Sequence, residues 1–475
     1  MQGMRQNENY ICCICVYLRS SVDYIKNMIE TITELTGTLS GYLWNNGLTM
    51  LILVGTGLYL TIRLRFVQLT GFRHGWTLIS GKLSHDTDTG EVSHFQALST
   101  ALSATVGTGN IAGVATAISL GGPGALFWMW VTAFVGMATK FTESTLALKF
   151  REVDADGSIA GGPMYTLLHG LQMKRMAALF AVFALIASFG IGNLVQANSV
   201  VDGLTYIWPE FEEQGWMIGV VLSLLVGMVI LGGVHRIAVV ASTIVPFMVI
   251  IYLVSALVVL VQNAAEIPSA LWTIFNLALN PWAAGGAAVG EAIRWGVARG
   301  LFSNEAGLGS SPMAHAAART NEPVREGLVA MMEPFIDTII ICTMTGLVIV
   351  VSGAYLTAEE GVEGAALTAY AFNLNFGDFG AMVVGFGLTL FAFSTMIAWS
   401  YYGDRSARFL FGNKAVVYYR FIFTLVIVVG AAVPLKLVWN IADITTILMA
   451  LPNLLALFLL AGMVQRMKQE YFKKI

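Results

Sequence analysis

At 475 residues, with 56% hydrophobic and only 12% charged side chains and a mean hydropathy of +0.72, this chain carries far less charge than the ~25% of a soluble domain. It cannot keep its apolar surface from water, so the bilayer must be its solvent. A formal charge of −3, small and spread out, offers nothing to nucleic acid.

Residues 1–27 are polar, include Cys12, Cys13 and Cys15, and lack a signal-peptide cleavage site. Met28 opens an amphipathic stretch, IETITELTGTLSGYLWNNG, which is the expected start of translation. The fourth cysteine, Cys342, lies in an apolar run. Without paired CxxC motifs no metal site is expected, while palmitoylation or an adventitious disulfide stays open for the N-terminal cluster.

A bilayer core needs about 20 apolar residues per helix. Eleven spans are predicted, at 44–64, 95–120, 124–148, 177–204, 216–232, 236–261, 289–318, 327–352, 380–401, 415–433 and 437–463. The segment 262–288 is too short and interrupted to cross and reads as an interfacial or re-entrant cap. With the N-terminus outside, nineteen Lys and Arg fall on one side, four on the other (Arg5, Arg19, Lys26 and Lys436), and Lys140, Arg294 and Arg299 lie within spans. Basic loops are cytoplasmic loops, so an outside N-terminus and a cytoplasmic C-terminus are predicted. The six histidines, His74, His85, His94, His169, His235 and His315, then fall at or near the cytoplasmic side, in different loops.

Two spans carry residues that weaken a helix. ALSATVGTGNIAGVATAI, 101–118, places Gly107, Thr108, Gly109 and Asn110 at mid-membrane. GVARGLFSNEAGLGSSPMAHAAA, 296–318, surrounds Ser303, Asn304 and Glu305 with Gly300, Gly307 and Gly309, and Pro312 suits the first turn of a new half-helix. An interior glycine costs about 1 kcal/mol against alanine. Unwound backbone survives in a membrane only where protein or a water-filled cavity surrounds it. There, freed carbonyls bind cations and half-helix N-termini face anions. The broken spans lie five apart and run in opposite directions, which predicts two inverted five-helix repeats, 95–261 and 289–463. These are preceded by an N-terminal segment 1–43 and an extra helix with its loop, 44–94, separated by the cap 262–288, and followed by a cytoplasmic tail, 464–475. Glycines used only for close helix packing are the plainer alternative. A phosphate loop is set aside for want of a Gly-Lys-Ser/Thr ending.

The motifs GTGNIAGVATAISLGGPGALFWMWVTAFVGMATKFTE, GGPMYTL, GNLVQANSV, RGLFSNEAGLGSSPMAHAAA and FSTMIAWSYYGDR closely resemble those of the alanine/glycine:cation symporters, from Leu43 to the last span. The resemblance implies an all-α membrane protein with a LeuT-type 5+5 core plus one N-terminal helix. It implies symport of sodium with a small neutral amino acid (alanine, glycine or D-alanine) through alternating access, in the cell membrane, with no cofactor and no obligatory protein partner. Proton coupling of the same fold is the alternative.

Such a substrate is a zwitterion. Amides around Gly107, Thr108, Gly109 and Asn110 are candidates for its carboxylate. Carbonyls of Thr105 and Val106 are candidates for a cation or for the ammonium. Ser394 and Thr395 would complete a sodium site by resemblance, although Ser and Thr also back-bond to their own helix. Gln196 is a substrate ligand or a packing hydrogen bond. Asn193 and Asn198 are weaker candidates, and Phe302 and Trp399 are pocket walls that exclude long side chains. Ser303, Asn304, Glu305 and Gly307 organise or gate the second break, with Glu305 accepting backbone amides or taking up a proton. Lys140 and Glu143, three apart, are expected to pair structurally, as are Glu333 and Asp337. Arg294 and Arg299 suit an outer gate with an unnamed acidic partner. No HExxH, nucleophile elbow or ATP motif suggests an enzyme or a pump.

Overall fold

The computed structural model describes residues 24, 27–44, 47–81, 88–153, 158–280, 287–359 and 361–474. The segment before Met28, with its cysteine cluster, lies outside the described residues apart from positions 24 and 27. So do Lys82, His85 and the part of the cap at 281–286.

The described chain is almost wholly helical, as a span must be when lipid offers backbone groups no partner. In chain order the helices are α1 Asn27–Trp44, α2 Gly47–Arg63, α3 Phe72–Ile79, α4 His94–Thr105, α5 Gly109–Gly121, α6 Ala125–Lys149, α7 Lys174–Ile207, α8 Gly215–Ile230 and α9 Gly233–Gln262. They continue as α10 Ile267–Leu279, α11 Ala287–Asn304, α12 Pro312–His315, α13 Pro323–Val351, α14 Gly364–Phe376, α15 Asp378–Phe411, α16 Ala415–Gly430 and α17 Leu435–Lys474. A two-stranded antiparallel hairpin, β1 Glu152–Val153 with β2 Ile159–Ala160, follows α6.

Every predicted span corresponds to a helix, but they are not equal. Among the described residues six helices are long and apolar enough to cross alone, and two bent pairs, α1 with α2 and α4 with α5, bring the number to eight. The spans expected at 216–232 and 415–433 are 16-residue helices, α8 and α16. At 1.5 Å per residue such a helix is about 24 Å long, short of the ~30 Å hydrocarbon core. The span expected at 289–318 stays helical only to Asn304. The cap holds one short apolar helix, α10, and another helix, α14, lies in the 353–379 connection, where no span is predicted.

Small residues let the central helices approach. A Cβ built on Gly300 of α11 would lie 2.3 Å from Thr132 Oγ1 of α6, and one on Gly296 would lie 2.4 Å from the Ala125 carbonyl. This contact fixes α11, and so the second break, against α6. On the side rich in basic loops, the chain entering α4 bridges in parallel to the chain leaving α12, at Val92 and Ala318. Arg151 locks that bridge by donating to the carbonyls of Ala316 and Ala318, both at 2.8 Å, and to those of Thr89 and Thr320. On the opposite side the unnamed acidic partner is Asp443 of α17: Arg299 Nη2 donates to both its carboxylate oxygens, at 2.7 and 2.8 Å. Arg294 pairs instead with Glu291 on its own helix, at 3.3 Å.

Candidate substrate and cation site

The first break is short. α4 ends at Thr105, Val106 leaves the helical conformation at ψ 87, and α5 restarts at Gly109 with a π turn, its axis bent by 53° from α4. Neutral groups hold it. The Gly107 amide donates to Asn110 Oδ1 at 2.8 Å and the Thr108 amide to Gln196 Oε1 at 3.3 Å. Thr395 Oγ1 donates to the Val106 carbonyl at 3.4 Å, and Thr368 of α14 to the Ile111 carbonyl at 3.0 Å. A Cβ on Gly107 would lie 2.4 Å from Thr395 Oγ1, so only glycine allows α15 this close. The Thr108 hydroxyl is fully buried and, among the described residues, has no hydrogen-bond partner. Such an orphan costs about 1–3 kcal/mol until something satisfies it.

The second break is longer and is held by charge. After Asn304 the chain turns through three positive φ values, Glu305 at 55, Gly307 at 91 and Gly309 at 81, before Pro312 opens the single turn α12. Glu143 Oε1 accepts from the Gly309 amide at 3.1 Å and from Asn453 Nδ2, which also donates to the Gly307 carbonyl at 2.9 Å. Lys140 Nζ reaches Glu333 Oε2 at 2.8 Å and Ser311 Oγ at 2.6 Å. His315 lies between Glu333 and Glu326, and Glu326 also receives His94 at the start of α4. All these residues are buried.

Several local expectations are corrected here. Lys140 and Glu143 do not pair with each other; each reaches across to another element, Lys140 to Glu333 and Ser311 and Glu143 to Gly309 and Asn453. Glu333 and Asp337 do not form one structural pair either: Glu333 joins the Lys140–His315 network while Asp337 faces the first break. Glu305 does not collect backbone amides; Trp399 Nε1 donates to it at 2.8 Å and Ser310 Oγ at 2.5 Å. His94 and His315, which come from different elements, share the Glu326 carboxylate.

The two breaks touch. A Cβ on Gly109 would lie 3.0 Å from Ser303 Cα. Beside that contact Asp337 of α13 accepts from Asn110 Nδ2 at 2.6 Å, Ser303 Oγ at 2.8 Å and Thr338 Oγ1 at 2.7 Å. Asn304 Nδ2 donates to Thr338 Oγ1 at 3.3 Å and Asn304 Oδ1 accepts from the Ala306 amide. Of the remaining candidates, Ser394 Oγ donates to the Phe391 carbonyl of its own helix at 2.9 Å, and Thr105 Oγ1 likewise back-bonds to Ala101 at 3.3 Å. Gln196 Nε2 donates to Ile191, Asn193 to the Phe423 carbonyl, and Asn198 to Val433. Phe302 packs at a tilt against Trp439, ring centroids 4.7 Å apart, with the Arg299 guanidinium 5.4 Å from its ring centre. Trp399 packs against Gly192, where a Cβ would come within 2.3 Å. The sequence reading named Asp337 but missed its place between the breaks. The readable signal was a lone carboxylate in the run FIDTIIIC.

A multi-pass helical bundle whose two broken helices meet, at Gly109 and Ser303, has the LeuT fold. The crystal structure of MhsT in complex with L-phenylalanine superposes on 79% of this chain and 98% of that one, at a TM-score of 0.55 and 11% identity. The particular family follows from sequence: residues 29–475 match the model of the sodium:alanine symporter family, and the chain belongs to it. It is 48% identical to the sodium/alanine symporter AgcS of Methanococcus maripaludis, over 91% of this chain and 95% of that protein. It is 37% identical to the probable sodium/glutamine symporter GlnT of Bacillus subtilis, over 94% and 92%. The chain is therefore a sodium-coupled amino-acid symporter.

Proposed function

We propose that this protein imports alanine, glycine and D-alanine with sodium, through alternating access, with its N-terminus outside the cell membrane and its C-terminus in the cytoplasm. The observation that carries the reading is the orphaned Thr108 hydroxyl at the first break. It stands beside two backbone amides, Gly107 and Thr108, that are now held by the side chains of Asn110 and Gln196. A substrate carboxylate takes the hydroxyl's donor and competes for those amides at the N-terminal end of α5, where the helix dipole favours an anion. Gln196 Oε1, released from the Thr108 amide, then accepts from the ammonium.

Sodium is placed against the Val106 carbonyl and the Thr395 and Ser394 hydroxyls, with Thr105 supplying its carbonyl; all are the hard oxygen donors an alkali cation takes. The cation and the carboxylate share one short stretch of backbone, so each raises the other's affinity by the same factor.

The size limit has a local source. Gly107 leaves less than a methyl group of room against Thr395, and Trp399 is held upright by Glu305. One methylene is worth only ~1–3 kcal/mol in a pocket, so rigid walls must exclude the longer side chains. Family membership alone does not set this limit, given the relative named for glutamine. Uptake of labelled alanine and glycine into proteoliposomes tests the reading. An inward sodium gradient should drive it and choline should abolish it. Equal uptake in choline, driven by an acid exterior, would replace sodium by a proton.

A further inference from the structure

The seam between α2 and α17 carries two recesses in succession along the helices, one apolar and one basic. The apolar groove, of about 430 Å³, is lined by Leu51, Gly55 and Tyr59 of α2 and by Leu451, Leu455 and Phe458 of α17. Gly55 keeps it open: a Cβ built there would meet only Leu51 of its own helix, at 3.7 Å. Tyr59 and Phe458 stand at the end of the groove nearer the basic loops, ring centroids 4.8 Å apart. Beyond them the surface changes to a pocket of about 280 Å³, lined by Arg63, Arg65, Thr70, Gln465, Lys468 and Gln469 among others. Among the described residues no acid lines this pocket. Lys468 Nζ donates to the Leu64 carbonyl just past α2 and to Thr70 Oγ1 at 3.4 Å, which fixes the ammonium there without neutralising it. Three like charges in so small a space repel one another until an anion enters.

We propose that this seam binds one anionic phospholipid, with its phosphate in the basic pocket and a hydrocarbon chain in the groove. The two recesses lie at the right separation for one molecule. From Tyr59 to Arg63 the distance along α2 is about 6 Å, and from Phe458 to Gln465 along α17 it is about 10 Å. A glycerol backbone with its ester groups covers such a gap. Charge selects the headgroup. Guanidinium groups fork onto phosphate oxygens, and the cationic head of a zwitterionic lipid would find no carboxylate in this pocket. Free phosphate would use the basic pocket alone and leave the groove beside it without a purpose. In the orientation proposed above the pocket faces the cytoplasmic leaflet, the one with a negative surface. The site itself depends on neither that orientation nor sodium coupling. A lipid seated here joins α2 to the helix that supplies Asn453 to the second break, so its binding should register as thermal stability.

The test is native mass spectrometry of the full chain in detergent, titrated with phosphatidylglycerol and, in parallel, with phosphatidylcholine of the same chains. Wild type should retain a single phosphatidylglycerol, bound about tenfold tighter than phosphatidylcholine, and should melt higher with it. Each cation removed should weaken that binding about fivefold, so Arg63→Gln combined with Arg65→Gln should lose about 25-fold. Gly55→Leu fills the groove without meeting another helix. It should weaken phosphatidylglycerol binding several-fold and melt like wild type in lipid-free detergent. Equal binding of the two lipids overturns the inference, as does undiminished phosphatidylglycerol binding in the folded double variant. Phosphatidylglycerol binding that inorganic phosphate abolishes and Gly55→Leu leaves unchanged also overturns it, and identifies a free-anion site. Should the double variant not fold, unchanged phosphatidylglycerol binding in Gly55→Leu overturns it alone.

Discussion

The two broken helices do the same topological job with opposite chemistry. The first interrupts α4–α5 for three residues and is held by an asparagine, a glutamine and two threonines. The second interrupts the chain for seven residues after α11 and is braced by Glu143, Lys140, Glu333 and His315, with three positive φ angles locked among them. Neutral hydrogen bonds exchange readily for ligand contacts, each net bond being worth about 1 kcal/mol. Buried ion pairs do not exchange, since removing one partner strands a charge. Under the proposed function the difference divides the roles: the first break exchanges its hydrogen bonds for ligand contacts, and the second is the rigid wall beside it.

The largest expected effect breaks the wall. Lys140→Met takes one of its two partners from the buried Glu333, leaving His315 alone, and leaves Ser311 without its donor, at a cost of about 3 kcal/mol. The purified variant should melt well below wild type in detergent, and added alanine should not restore it. Gly309→Ala comes next. It forces a side chain into φ 81 and sets a Cβ 2.5 Å from Pro163, for about 1–3 kcal/mol of strain. Thermal unfolding should record that loss.

At the first break the comparison predicts the reverse pattern, with function lost and fold kept. Gly107→Ala overpacks against Thr395 by about 1–3 kcal/mol, which is about 5- to 150-fold in alanine affinity if it falls on the ligand-bound state. Thr395→Ala should be the mildest. It removes one hydroxyl worth about 1 kcal/mol, so the sodium half-saturation concentration should rise about fivefold, and Thr395→Ser should recover it. A Thr395→Ala protein that melts early instead would blur the distinction between the two breaks.

The helical breaks were legible because glycine and asparagine stand out in an apolar run, and their inverted spacing needed only a count of spans. The contents of the second break were not. Lys140 and Glu143 invited a local pairing by their spacing, whereas Glu333 and Asn453 lie far off in sequence, and only packing brings them to α6. Asp337 misled in the same way, its i,i+4 relation to Glu333 suggesting a pair on one helix turn. The short helix α14 was hidden because the acidic residues before it read as loop, yet its Thr368 reaches the first break.

The central claim is that the first break binds the substrate through the Thr108 hydroxyl, which the folded protein leaves unsatisfied. Thr108→Val keeps the shape of the side chain and removes only the orphaned hydroxyl. The decisive measurement is equilibrium binding of alanine in saturating sodium by this variant beside wild type, with thermal melting as the check on folding. The account predicts alanine affinity at least about tenfold weaker, corresponding to about 1.4 kcal/mol, with a melting temperature no lower than wild type. Unchanged affinity in a folded Thr108→Val protein would contradict it.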